Sequence, residues 1–143
     1  MKASRIVLCA AIAANALGWV LPAIDPTAGD AYRGWSAFTV ALSPLWDLED
    51  FGTEPLWLLI LMVGSALTNF LFVGLTALLL LRGGAFKLVL WAAAAATLLD
   101  LHWVFTLESD RRFLEPGYFI WVCSFALLAL AAFLDRPGSP DRR

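Results

Sequence analysis

Four stretches of this chain are apolar almost without interruption: Arg5–Ile24, Pro55–Leu81, Phe86–Leu107 and Gly117–Leu134. About 20 residues of α-helix, rising 1.5 Å each, cross about 30 Å of hydrocarbon. All four stretches are near that length or longer. Backbone groups in lipid must be satisfied within their own segment, so each stretch is predicted to be a helix. The second stretch would reach about 40 Å and must tilt or project beyond a bilayer.

The connections carry their own signals. "RGGA" between the second and third stretches holds two glycines, which permit a sharp reversal into an antiparallel hairpin. "ESDRRFLEP" ends in Pro116, which is suited to the first turn of the fourth helix. The tail, residues 135–143, is polar and broken by prolines and is expected to be mobile. The one long connection covers residues 25–54. Within it Tyr32, Trp35, Phe38 or Thr39, Leu42 and Trp46 recur every three or four residues, the period of one helix face. Asp30 is a candidate cap and Ser43-Pro44 a stop. This segment is predicted to be an amphipathic helix at the membrane interface. Trp35 and Trp46, with Trp103 and His102, are expected at the outer interface, where amphipathic rings favour the headgroup level.

Composition agrees with lipid as the solvent. The chain is 61% hydrophobic and only 15% charged, against about 25% charged in soluble domains. Its mean hydropathy is +0.77. The expected fold class is therefore all-α: a membrane-embedded four-helix bundle forming a single domain over residues 1–143. The net charge of −2, with no basic patch, points to no nucleic-acid partner. Lys2, Arg5, Arg82, Lys87, Arg136, Arg142 and Arg143 would share one side, and Arg33, Arg111 and Arg112 the other. The excess of basic residues favours both termini on the cytoplasmic side of a cell inner membrane. The start of the chain also has features of a signal peptide, a basic beginning and Ala14-Asn15-Ala16. The apolar run continues through "LGWVLPAI", which favours a retained helix.

Candidate chemistry is sparse. Asn15, Thr68, Asn69, Thr97, Asp100 and Ser124 fall at similar depth in the four helices and are predicted to form one buried polar layer. Asp100 is the sharpest of them. No Lys or Arg lies in the core of any span to pair with it, so the neutral acid is expected, donating to Asn69 or Asn15 and accepting from Thr97. The alternative role is a proton or cation relay. His102 is about 200° from Asp100 around a helix, so the two form no dyad on one face. His102 is expected instead to reach water or the long loop. One histidine with scattered carboxylates makes no metal site, and no cofactor motif is present. Cys9 and Cys123 lack the C-x-x-C pairing of redox thiols and are expected to be small buried hydrophobes.

"GWSAF", "SALTNFLF" and "GYFIWVCSFALLAL" resemble a loose group of small bacterial four-helix inner-membrane proteins that carries no established activity. Size and helix count are also similar to small multidrug resistance transporters, but the first helix here has Asn15 where those proteins use a glutamate. "GSALTN" does not reproduce the pattern of fluoride channels, and the paired loop cysteines of claudin-like proteins are absent.

These readings lead first to a non-enzymatic interaction, assembly or membrane-protection component. Its partners would be the lipid bilayer and a second copy of the chain or another membrane protein. The alternative is an oligomeric proton- or cation-coupled small-solute transporter or channel that uses Asp100.

Overall fold

A computed structural model describes residues 2–25, 31–46, 55–81, 85–106 and 113–136. Asp30, the Arg82-Gly83-Gly84 turn, Arg111, Arg112 and the tail beyond Arg136 lie outside the described residues. So do the acidic residues Asp47, Glu49, Asp50 and Glu54 of the long connection.

In chain order the elements are helix α1 (Ala3–Val20), strands β1 (Pro22–Ile24) and β2 (Tyr32–Arg33), and helix α2 (Gly34–Leu42) with a 3-10 turn (Ser43–Leu45). Helices α3 (Leu56–Leu81), α4 (Phe86–Thr106) and α5 (Pro116–Leu134) follow. Helices α1, α3, α4 and α5 are long and apolar enough to cross a membrane. Pro116 occupies the first turn of α5, where the N–H that proline lacks would have had no partner within the helix.

The first helix ends at Val20, four residues before the predicted Ile24. The reason is local: a residue preceding proline is pushed out of the α region. Leu21 is extended, with φ −79° and ψ 155°, ahead of Pro22. The apolar residues beyond it form a strand instead. β1 pairs antiparallel with β2, Pro22 opposite Arg33 and Ile24 opposite Tyr32. Its other edge is stitched to the segment before α5. Asp25 N–H donates to the Phe113 carbonyl at 2.8 Å, and Glu115 N–H donates to the Ala23 carbonyl at 2.9 Å. The sequence pattern signalled neither pairing, because each strand is too short to show an alternation.

α5 is the centre of the bundle. It packs along α1 on one side and α4 on the other, and α3 packs along α4. Phe125, Leu128, Ala131 and Ala132 of α5 are fully buried against Leu8, Ala11, Val89 and Ala93. α3 joins this core through Phe72, Leu75 and Leu79, and the Phe72 ring meets Phe125 edge-on at 5.3 Å. The outward faces remain apolar, with Leu67, Val73, Leu80, Leu88, Trp91 and Leu98 all exposed. Cys9 and Cys123 are exposed as well, contrary to the buried positions expected of them. Each lies on such an apolar outer face, where a thiol needs no protein neighbour to escape water if lipid surrounds the helix.

A second, smaller core of Ala23, Tyr118 and Val122 lies at the end of the bundle that carries α2. Close backbone approach defines this end. A Cβ on Gly117 would stand 2.3 Å from the Pro22 carbonyl oxygen, and one on Gly34 would stand 2.1 Å from the Gly18 carbonyl oxygen. Neither contact can yield without moving main chain. By contrast, a Cβ on Gly74 meets nothing within 4 Å.

Gly117→Ala is therefore expected to lower stability by about 1–3 kcal/mol through overpacking. Gly74→Ala should leave it unchanged or raise it by about 0.5–1 kcal/mol through helix propensity. Reversible unfolding in mixed detergent, followed by circular dichroism, checks both. A larger loss at Gly74 than at Gly117 would contradict the packing described.

Candidate functional site

The predicted polar layer divides into groups around Asp100, Asn69 and Asn15, the last two meeting at Trp121, while Thr97 bonds within its own helix. The first surrounds Asp100, which is 0% exposed. The Ser65 hydroxyl donates to its Oδ1 at 2.8 Å. Thr68 Oγ1 lies 3.2 Å from its Oδ2 and 2.5 Å from the Ser65 carbonyl oxygen. Ser65 and Thr68 are three residues apart and so share one face of α3. The Tyr118 hydroxyl donates to the Asp100 main-chain carbonyl. Asp100 thus joins three helices, α3 through its side chain and α5 through its backbone.

The expected partners of Asp100 were different. Asn69, Asn15 and Thr97 do not bond it. Thr97 turns back to donate to the Ala93 carbonyl of its own helix at 2.9 Å, a usual outlet for a threonine within a helix. Asn69 follows Thr68 directly and is rotated about 100° from it around α3. It therefore faces α5 rather than α4 and accepts from Trp121 Nε1 at 2.9 Å. Its own amide donates to the Ala66 carbonyl at 3.0 Å. The third group pairs α1 with α5: Asn15 Nδ2 donates to Ser124 Oγ at 3.2 Å, and Ser124 donates to the Trp121 carbonyl at 2.6 Å. Ser65, Tyr118 and Trp121 are the polar partners that the sequence reading missed. The signal available for Ser65 was its three-residue spacing from Thr68.

A threonine hydroxyl carries one proton. With Asp100 as the neutral acid, every proton has an acceptor. Ser65 donates to Oδ1, Oδ2 donates to Thr68 Oγ1, and Thr68 donates to the Ser65 carbonyl.

The groups expected at the interface divide. Trp35 and Trp46 are 60% and 65% exposed. Trp103 turns partly inward beside the second core. His102 is half-buried, its Nδ1 against the Leu99 carbonyl and its ring 4.5 Å from that of Trp103. Among the described residues no group of three or more His, Cys, Asp and Glu side chains could hold a metal ion.

A cavity of about 330 Å³ lies beneath α2. Small residues face it from several elements: Gly18 of α1, Ala23 of β1, Gly34, Ala37 and Ala41 of α2, and Ala66 of α3. Trp19, Phe38, Trp103 and Trp121 supply its aromatic walls. Phe38 holds α2 across the opening. Its ring lies 5.2 Å from Trp19 of α1 and 5.9 Å from Phe70 of α3. Ser65, Asn69 and Tyr118 also line the space, so it lies one hydroxyl away from the Asp100 carboxyl. The volume and the apolar lining with few polar groups match the usual character of a small-molecule site.

Comparison with known proteins adds no relative: no family model, no curated protein and no solved structure matches the chain.

Asp100→Asn offers Ser65 an acceptor and Thr68 a donor in the same shape, and is expected to leave the unfolding midpoint near that of the parent. Asp100→Leu strands the buried Ser65 hydroxyl and should cost about 1–3 kcal/mol. Thermal unfolding of both variants in one detergent checks the pair. Equal losses for Asn and Leu would contradict a hydrogen-bonding role.

Proposed function

We propose that this chain is a multi-pass protein of a cell inner membrane, with both termini cytoplasmic, that works without catalysis by holding a small apolar molecule beneath α2. The observation that carries the reading is the cavity of about 330 Å³. Alanine side chains on α2 leave it open, although larger apolar residues at Ala37 and Ala41 would fill it and strengthen the packing. Such a component belongs with the interaction and membrane-protection roles expected from the sequence.

Lipid as the surrounding medium is supported by the apolar outer faces of the four long helices. A continuous apolar exterior of this extent is characteristic of a membrane or protein interface. Lys2, Arg5 and Arg136 gather at the end opposite α2 and support the cytoplasmic assignment of the termini. α2 and its exposed Trp35 and Trp46 then belong to the outer interface.

The transport reading draws support from Ser65, which touches both the cavity and Asp100. A path through one copy of the chain would still have to pass Phe72, Val89, Phe125 and Leu128, all tightly buried on the other side of Asp100. Binding needs no such path, and it is the reading the geometry favours.

Protein purified in mild detergent and extracted with organic solvent is expected to release a small apolar molecule in near-stoichiometric amount, as seen by mass spectrometry. The double variant Ala37→Leu, Ala41→Leu fills the cavity and should lose it. Equal recovery from parent and filled variant would contradict the proposal.

A further inference from the structure

The polar groups of the cavity carry an imbalance that narrows what it can hold. The Ser65 hydroxyl gives its proton to Asp100, and the Tyr118 hydroxyl gives its proton to the Asp100 carbonyl. Each hydroxyl has one proton and two lone pairs. Both oxygens can therefore only accept from an occupant. Asn69 has spent its Oδ1 once, on Trp121, and one N–H on Ala66. It retains one N–H and one lone pair. The indole N–H of Trp121 is already used. On Ser65, Asn69 and Tyr118 together the surplus is of acceptors over donors, and Trp19 and Trp103 add two indole N–H groups to the wall.

Charge narrows the choice further. Among the described residues the lining contains no Lys, Arg, His, Asp or Glu, and Asp100 lies behind Ser65. Against that described lining an anionic headgroup would lose water with no cation to meet it, which is costly. A pure hydrocarbon would fit the aromatic walls but leave the Ser65, Tyr118 and Asn69 acceptors unused.

We infer that the occupant is an uncharged amphipath: an apolar body carrying a hydroxyl or amide donor, such as a long-chain or isoprenoid alcohol. Its body lies between Trp19, Phe38 and Trp121, and its donor is directed to the acceptors on α3 and α5. This inference rests on the cavity being a binding site, as proposed above, and specifies the chemistry it selects. The donor is favoured because it meets spare lone pairs on Ser65, Tyr118 and Asn69 that a hydrocarbon analogue leaves without a second partner.

The test uses the full chain in lipid discs, with intrinsic tryptophan fluorescence as the signal, since Trp19, Trp103 and Trp121 form the wall. Dodecanol, dodecane and dodecanoate are compared in buffer alkaline enough to ionise the acid. Dodecanol is expected to give a saturable change at a concentration at least tenfold below that needed by dodecane or dodecanoate. Asn69→Leu should narrow the gap between dodecanol and dodecane, leaving Ser65 and Tyr118 as acceptors, while dodecane itself binds as before. Circular dichroism and monodisperse elution confirm that the variant is folded. The conservative Asn69→Gln provides a second folded variant and should retain part of the preference. Dodecanoate binding as tightly as dodecanol, or dodecane equal to dodecanol in the parent, overturns the inference and leaves the cavity as a binding site. No saturable response to any of the three ligands overturns both.

Discussion

The link between Asp100 and the Ser65–Thr68 face of α3 is the constraint on which the rest of the structure depends. Helices surrounded by lipid gain little from apolar contact, since the tails are as apolar as leucine. They associate through close packing and interhelical hydrogen bonds, each worth about 0.6–2 kcal/mol. α1, α4 and α5 have close packing along their lengths, through alanines and Val89, Phe125 and Leu128. α3 has it over one half only, where Phe72, Leu75 and Leu79 enter the core. Over the other half Ser65, Ala66 and Thr68 turn inward with Asn69 partly so, and its links to α4 and α5 are polar, to Asp100 and Trp121. Hydrogen bonds fix a helix at a distance without filling the space beside it. The cavity beneath α2 lies beside this half of α3.

The opposite wall depends on a different device. The ends of α1 and β1, the start of α2 and the start of α5 meet at backbone contact, through Gly34 against Gly18 and Gly117 against Pro22. This compact junction anchors α2 at its first residue, and Phe38 pins it again between Trp19 and Phe70. α2 is thereby a half-buried cover that touches α1, α3 and β1. None of its residues is fully enclosed.

The four long helices were legible in the chain because hydrophobic runs of that length have few other solutions. Most of their ends were legible to within two residues as well, Pro116 most clearly. The end of α1 was not, because Leu21–Ile24 continue the apolar run and only the conformational effect of Pro22 separates helix from strand. Asp100 was conspicuous because a carboxyl in such a run is costly. Its partners were hidden because depth along a helix is easily read from sequence and rotation is not. Thr68 and Asn69 lie at nearly the same depth, yet one serves α4 and the other α5. The cavity left no linear signal. Ala23, Ala37, Ala41 and Ala66 are common residues scattered over three elements, and only the fold brings them to one cavity.

A carboxyl that locks helices together must be dry, whereas one that relays protons must be wet. Solid-state NMR of the carbon-labelled protein in lipid bilayers distinguishes these most directly. The account predicts through-space contacts from the Asp100 carboxyl carbon to the Ser65 and Thr68 side chains, and no magnetisation reaching that carbon from mobile water. Strong transfer from water to Asp100, or the absence of both hydroxyl contacts, would contradict it.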